Sequence, residues 1–426
     1  MKVFRALALV MALVFCCSAT VRAEGFALNE WSARGVSLAG GLVGRADDVS
    51  TLAYNAAGIT QVPGTHVMGG LAVIAPMGTI VADMSTGGTK YTSTKPDVWL
   101  APHGFVSHQL NDNVWLGFAS FSRFGLGNSF DSNWTGKYNM YDIGLKTMSF
   151  VPTLAYKVND TLSLSVGAEV MNAHVYRGSK IPTRTSSTTM PFDNDLQLEG
   201  SGWGVGAHLG MHMRFNDQWS MGLSYKSQVT LNLFGDVDFG YEGDSLLTRA
   251  GTLPVARDRS ANATLQLPDS IAWGLSYKPL ENLSFEVGTV FTRWSTYNAL
   301  NINMGNDYSS VNNKEWRDGW NFNGSVEYKP LDWWSLRAGV AYETPVVNEN
   351  YSDYMMPTNG RTTMSLGTGV TWNNWTIDLA YAHLWIYPVD YDTTSSSGIR
   401  GSNQIKGGHS ENVQANIYMF SVGYTF

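Results

Sequence analysis

The sequence predicts an all-β chain of fourteen antiparallel strands closed into a transmembrane barrel, with a short N-terminal segment plugging the lumen. Three observations carry that reading. Charged residues make up only 15% of the 426-residue chain, well below the roughly one quarter usual in soluble proteins, while 44% are hydrophobic and 12% aromatic. Apolar residues alternate with small or polar ones along most of the chain. The connections between alternating segments fall into two kinds, tight polar turns and long polar stretches, which succeed one another in turn.

The composition narrows the function classes. Gly 44, Trp 15 and Tyr 20 favour strand and turn. Lys+Arg 28 against Asp+Glu 35 gives a net charge of −7, which supplies no cationic field for nucleic acid.

Residues 1–23 read as a signal peptide. Lys2 and Arg5 form a basic start, Ala6 to Ala19 an apolar stretch too short to span a bilayer, and Val21-Arg22-Ala23 a small-residue cleavage site. Cleavage there removes both cysteines, Cys16 and Cys17, and leaves no thiol for redox or metal chemistry. A lipoprotein reading of Leu13-Val14-Phe15-Cys16 meets the bulky Phe15 where a small residue is needed.

The strands follow from the period of two. Trp203, Val205, Ala207, Leu209, Met211, Met213 and Phe215 share one face, and Gly204, Gly206, His208, Gly210, His212 and Arg214 the other. The same alternation runs through Leu162 to Val170 and Trp334 to Tyr342. It fits either a soluble sandwich with the apolar face inward or a membrane barrel with it outward.

Turn spacing decides between them. Tight turns are predicted at Asn111-Asp112-Asn113, Asn159-Asp160, Asn216-Asp217, Pro279-Leu280-Glu281-Asn282, Pro330-Leu331-Asp332 and Asn373-Asn374. Each joins two alternating segments. With one strand before them, near Thr65 to Ile80, and one after, near Asn412 to Phe426, the strands number fourteen. Long polar stretches lie between, near 81–96, 125–146, 177–200, 234–261, 298–318, 345–360 and 388–410. Short turns at one rim, long loops at the other and an even strand count fit an outer-membrane barrel with periplasmic termini. Tyr418, Phe420, Val422, Tyr424 and Phe426 give a lipid-facing closing strand, and Trp115, Trp219, Trp334 and Trp375 suit an interfacial girdle.

The segment from Glu24 to Gly64 does not alternate. Its mixture of Trp31, Leu38, Leu42, Val43 and Tyr54 with Gly and Ala suits a compact plug better than a disordered arm. A fourteen-stranded barrel has a lumen wider than its own side chains fill. The domains are therefore residues 1–23, signal peptide; 24–64, plug; and 65–426, barrel.

Several separated motifs resemble the FadL-type outer-membrane transporters of long-chain fatty acids and other hydrophobic compounds (the OMPP1/FadL/TodX family). They are GFAL…SARG…ADDVSTLAYNAAG; WTGKY with LAYKVNDTLSLSVG; LPDSIAWGLSYKP with TRWSTYNAL; and WRDGW with VEYKPLDWWSLRAGVAYETPV. They occur in family order across the mature chain. Two departures stand out: the family's Asn-Pro-Ala in the plug is Asn55-Ala56-Ala57 here, and Ser122-Arg123-Phe124-Gly125 lacks the proline many members carry. The resemblance implies a hatch gated at Asn55, Ala56 and Ala57. It also implies a kinked third strand around Phe121, Ser122, Arg123 and Phe124 that opens the wall sideways. The cargo would be a long-chain fatty acid or other hydrophobic small molecule, leaving laterally into the bilayer. The expected surroundings are outer-membrane lipids and lipopolysaccharide, and the expected state a monomer. Alkane or monoaromatic uptake, a general porin and a lipid hydrolase are the alternatives.

Candidate site residues follow. The resemblance places Arg177 and Arg317 at family positions that carry a basic lumen residue suited to a carboxylate. His208 and His212 are about 13 Å apart on a strand, too far to chelate together, and read as lumen residues. Glu169, Arg214, Lys226, Glu286, Arg337 and Asp378 fall on inward positions, where charges neutralise one another. No cofactor, metal ligand set or catalytic residue is expected. A strand-borne Ser-His pair is lacking, although His383 lies in an apolar strand.

Overall fold

The computed structural model describes residues 25–183, 192–240, 258–305, 309–356, 359–392 and 405–426. The expected signal peptide lies outside them, as do parts of the long polar stretches beyond 183, 240, 305, 356 and 392. Fourteen antiparallel strands form one closed sheet. In chain order they are β1 (Thr65–Met84), β2 (Thr89–Ser93 and Trp99–Gln109), β3 (Val114–Phe121 and Gly125–Ser129), β4 (Asp142–Lys157) and β5 (Leu162–Thr183). Then come β6 (Phe192–Arg214), β7 (Trp219–Lys226 and Val229–Phe239), β8 (Arg259–Leu267 and Ser270–Leu280) and β9 (Leu283–Thr292 and Ala299–Asn303). The last five are β10 (Ser309–Asn313 and Gly319–Leu331), β11 (Trp334–Glu343), β12 (Arg361–Trp372), β13 (Trp375–Ile386 and Asp390–Asp392) and β14 (Ile405–Thr425). The ring closes where β1 pairs with β14, Leu71 opposite Phe420 and His66 opposite Thr425.

The faces are inverted relative to a soluble protein. Val205 is 73% exposed and Leu366 62%, whereas Glu169, Glu286 and Asp378 are 1% exposed. Only lipid solvates the outer face at low cost, and only a closed ladder leaves no backbone group unsatisfied within it. That excludes the sandwich. All six tight turns form where the spacing places them, each between two paired strands.

Strand ends differ from the sequence expectation in one consistent direction. β1 runs on to Met84 and β14 begins at Ile405, and 89–93, 299–303 and 309–313 are strand within stretches expected to be loops. Above the bilayer both faces of a strand meet water, so the hydrophobic alternation that marks a strand disappears while the hydrogen-bonded ladder continues. Two placements are corrected. Trp115 belongs to no girdle: it is 2% exposed, faces inward and donates from Nε1 to the Val62 carbonyl at 3.1 Å. Arg214 is exposed at the rim, paired with Asp217 at 2.7 Å, because the strand ends there and the turn supplies its counter-charge.

Residues 25–64 pack inside the barrel as α1 (Ala33–Ser37), α2 (Thr51–Tyr54) and a 3-10 helix, Ala56–Gln61. Ser32 caps α1, its Oγ accepting from Gly35 N at 3.0 Å. The segment is too short to hold an apolar core of its own. Leu52, Ile59, Trp31 and Tyr54 instead pack with Phe105, Trp115, Phe121 and Val151 of the wall. Glycines in the wall admit its backbone: a Cβ at Gly222 would lie 1.8 Å from the Val43 carbonyl oxygen.

Candidate transport pathway

Polar groups fix the segment to the wall. Glu286 of β9 accepts three backbone N–H groups, from Val43 (2.9 Å) and Gly44 (3.0 Å) at one oxygen and from Arg45 (2.7 Å) at the other. Arg34 binds Glu327 of β10 through Nε (3.1 Å) and Nη2 (3.0 Å) and also pairs with Asp47 and Asp48. Arg337 of β11 continues the chain to Glu327 and to Asp378 of β13, each at 2.5 Å. Buried charges so arranged satisfy one another, and removal of one leaves a costly remainder.

The wall itself is interrupted at β3. β2 and β3 pair only from Gly104↔Ser120 down to Gln109↔Trp115. Above that, Ser122, Arg123 and Phe124 lie opposite just Thr147 and Met148 of β4, an extra residue in the manner of a bulge. β3 then resumes at Gly125 paired with β4 alone. The freed backbone groups find partners in the N-terminal segment. Ala27 forms a bridge with Phe124, Leu28 N donates to Arg123 O at 2.8 Å, and Gly125 N to Phe26 O at 3.0 Å. Trp31 Nε1 donates to Ser122 O at 2.8 Å. Thr147 Oγ1 donates to Phe124 O at 2.6 Å and accepts from its N at 3.1 Å. These bonds give partners to backbone groups at the break that a neighbouring strand would otherwise have paired.

Arg123 crosses the lumen from the break. Its Nη1 lies 2.5 Å from Glu169 Oε2, and the guanidinium reaches the carbonyls of Ser227 and Pro268, at the interruptions of β7 and β8. His208 shares the same carboxylate oxygen at 3.0 Å. Beside it Phe26 sits among Phe124, Trp294, Tyr297 and Trp316, with ring centroids 4.7–6.1 Å apart. Gly25, at φ +53°, is required there, since a Cβ would lie 2.7 Å from Trp316.

A cavity of about 410 Å³ occupies the interruption. Its lining combines lumen-facing Leu145, Leu384 and Ile417 with Leu100, Lys146 and Met148 of the outer face, together with Ala27, Leu28 and Phe124. The volume lies within the usual range of ligand pockets. A smaller apolar cavity, about 100 Å³, lies above Phe26 against Leu145, Val175, Leu233 and Tyr297.

The candidate residues are placed as follows. Phe121, Ser122, Arg123 and Phe124 form the break. Asn55 donates from Nδ2 to Val43 O (2.9 Å) and Met211 O (3.0 Å), and Ala56 and Ala57 are buried near β6, where a Cβ at Gly210 would lie 3.1 Å from Ala57 N. The segment that meets the break is Phe26–Leu28, to which the sequence alone assigned no role. Arg177 donates from Nη2 to Asn139 O at 2.6 Å, and its buried Nε has no partner. Arg317 is exposed, and the structure does not bring the two arginines together; the buried neighbour is Trp316. Lys226 lies over the Trp31 ring at 4.3 Å, and His212 Nε2 contacts Gly44 O at 3.0 Å.

Residues 14–426 match the outer membrane protein transport protein family (OMPP1/FadL/TodX). The chain belongs to that family. Among its OMPP1/FadL/TodX relatives is a putative outer membrane protein of Neisseria meningitidis serogroup B, 24% identical over 96% of each chain. The long-chain fatty acid transport protein of Escherichia coli O6:H1 is 24% identical over 86% of this chain and 87% of its own. The crystal structure of a Pseudomonas aeruginosa FadL homologue superimposes with a TM-score of 0.82 at 20% identity, covering 95% of this chain and 100% of that one. The Pseudomonas putida toluene transporter TodX gives 0.68 at 15% identity, with coverage of 95% and 100%. Both structures share the fold. This OMPP1/FadL/TodX barrel is thus an outer-membrane transport protein.

Proposed function

We propose that the protein carries long-chain fatty acids or similar hydrophobic molecules passively across the outer wall of the cell, releasing them sideways into the bilayer. The observation that supports this most directly is the cavity at the β3 break, lined from both faces of the wall. An apolar chain gains about 0.8 kcal/mol for each methylene kept out of water, so exit into lipid is favoured over exit into the periplasm. In this reading residues 24–64 are the hatch, held by Glu286 and Glu327, and Phe26–Leu28 is the piece that must shift to clear the break. Asn55, Ala56 and Ala57 hold the hatch against β6. The outward face meets outer-membrane lipids and lipopolysaccharide, and the barrel works as a monomer.

The names of relatives include both a long-chain fatty acid transport protein and a toluene transporter, so hydrocarbon uptake is the second reading. The test is reconstitution of the purified protein in vesicles. Saturable transfer of labelled palmitate into the membrane with little ion conductance is expected. Steady conductance without saturable transfer would establish a porin instead.

A further inference from the structure

The outer mouth of the β3 break is furnished with polar groups that an apolar passage alone does not need. Above Gly104, β2 no longer pairs with β3, and the Trp99 indole fills the gap. It lies so close to β3 that a Cβ at Gly127 would stand 1.9 Å from its ring. Trp99 stacks on Tyr176 of β5, the ring planes 11° apart and the centroids 6.5 Å apart. Its Nε1 is buried and has no hydrogen-bond partner. A buried indole N–H without an acceptor is costly, so a ligand that supplied one would be favoured.

Lys146 stands beside it on the outward face of β4, exposed between buried Leu145 and Thr147. Its Nζ is 5.4 Å from the Trp99 ring and 5.9 Å from the Tyr176 ring, and among the described residues it forms no ion pair. Asp142 is four residues further along the same face, about 13 Å away, too far to neutralise it directly. An ammonium on a lipid-facing wall needs an anion or water at its head.

We infer that Lys146 and the Trp99 N–H form a headgroup site at the exit, which takes a single-chain amphiphile with an anionic head, its tail lying in the cavity beside Leu100 and Leu145. Nζ offers three donors and Nε1 one, enough for both oxygens of a carboxylate. Trp99 is then both door and donor: the incoming head gives its orphaned N–H a partner as the tail displaces the ring from Gly127. The inference rests on lateral transport and names the cargo class for it.

The test uses the full-length protein in phosphatidylcholine vesicles, with binding and transfer measured for palmitate and for hexadecanol. The variants are Lys146→Met and Trp99→Phe, the latter keeping an aromatic ring while deleting the N–H together with the five-membered ring that carries it. Both are first checked for the folded, heat-modifiable band. Lys146→Met should lower palmitate affinity about tenfold or more with hexadecanol within about twofold of wild type, and Trp99→Phe should lower palmitate severalfold and hexadecanol, whose neutral hydroxyl is the weaker acceptor, by less. Unchanged palmitate binding, or equal losses for both probes, would overturn the headgroup site while leaving lateral transport standing. A wild type that transfers neither probe would overturn both. A Lys146 effect seen only after lipopolysaccharide is added would mean that the site holds a resident lipid's phosphate, and would overturn the cargo assignment.

Discussion

Arg123 and Glu169 meet inside the lumen at 2.5 Å, and through this contact, which bridges over β4, the break in β3 is tied to the middle of β5. The same guanidinium reaches Ser227 O and Pro268 O, so one side chain joins the interruptions of three strands. Both residues of the pair are almost fully buried. Arg123→Met should therefore destabilise the barrel by about 3–5 kcal/mol, as expected when a buried carboxylate loses its partner. Unfolding by urea in lipid vesicles measures it. The double variant with Glu169→Gln should lose much less than the sum of the two single changes.

Deletion of residues 24–64 should leave a folded barrel, because the strand ladder satisfies its own backbone bonds everywhere but at the β3 break, and water filling the emptied lumen solvates the break and the carboxylates of Glu286 and Glu327. It should also turn a poorly conducting protein into an open one in planar bilayers. Ala57→Leu, by contrast, should slow transfer without greatly raising conductance, since Ala57 is fully buried against the wall. Unchanged conductance after the deletion would remove the plugging role.

Arg177 and Arg317 should differ in their effect on fatty-acid binding. The Arg177 Nε is buried without a partner, and a carboxylate reaching it would make a charged hydrogen bond. Arg177→Ala should weaken palmitate binding by about 1.5–3 kcal/mol. Arg317→Ala, at an exposed position, should change it by less than about 0.5 kcal/mol. Titration calorimetry with palmitate and with hexadecane separates a charge effect from a loss of packing.

The outer loops should loosen in acid. Burial works against ionisation of Asp193, but the Lys137 ammonium and the Tyr138 hydroxyl outweigh it and hold this carboxyl below its ordinary range. Tyr138 is pushed up to about 12, first by burial and then by Asp193. A depressed carboxylate adds stability above its unfolded value and loses it as pH falls through the folded one. Hydrogen exchange around Lys137 to Asn139 should accordingly accelerate below about pH 4. Asp193→Asn should abolish the pH dependence.

The barrel was legible because lipid outside and polar groups inside impose a period of two, and because the sorting of short turns from long loops separates it from a sandwich with the same period. Trp203 to Phe215 shows that period along a single strand. The rule fails where its cause is absent. Lys90 and Thr92 lie in a strand wet on both faces, and Trp115 faces the N-terminal segment, where an aromatic is as well buried as in lipid. The break at Phe121 to Gly125 came into view through family likeness, since one extra residue barely disturbs the alternation. Phe26 to Leu28 carry only a short apolar run, and their partners, Arg123 and Phe124, are about a hundred residues away. Trp99 looks like any other strand aromatic until the absence of a paired neighbour beside it is known.

The missing ladder above Gly104 also has a mechanical side. β5 and β6 are zipped along twenty-two residue pairs, Leu162↔Met213 through Thr183↔Phe192, whereas β2 and β3 share six. A barrel carries circumferential load as a hoop, and a hoop yields at its weakest seam. Lateral pressure from the surrounding lipids, or a change in bilayer thickness, should therefore widen this seam before any other part of the wall deforms. The lipid environment thus acts on the aperture directly, through the stiffness of the ring rather than through any ligand.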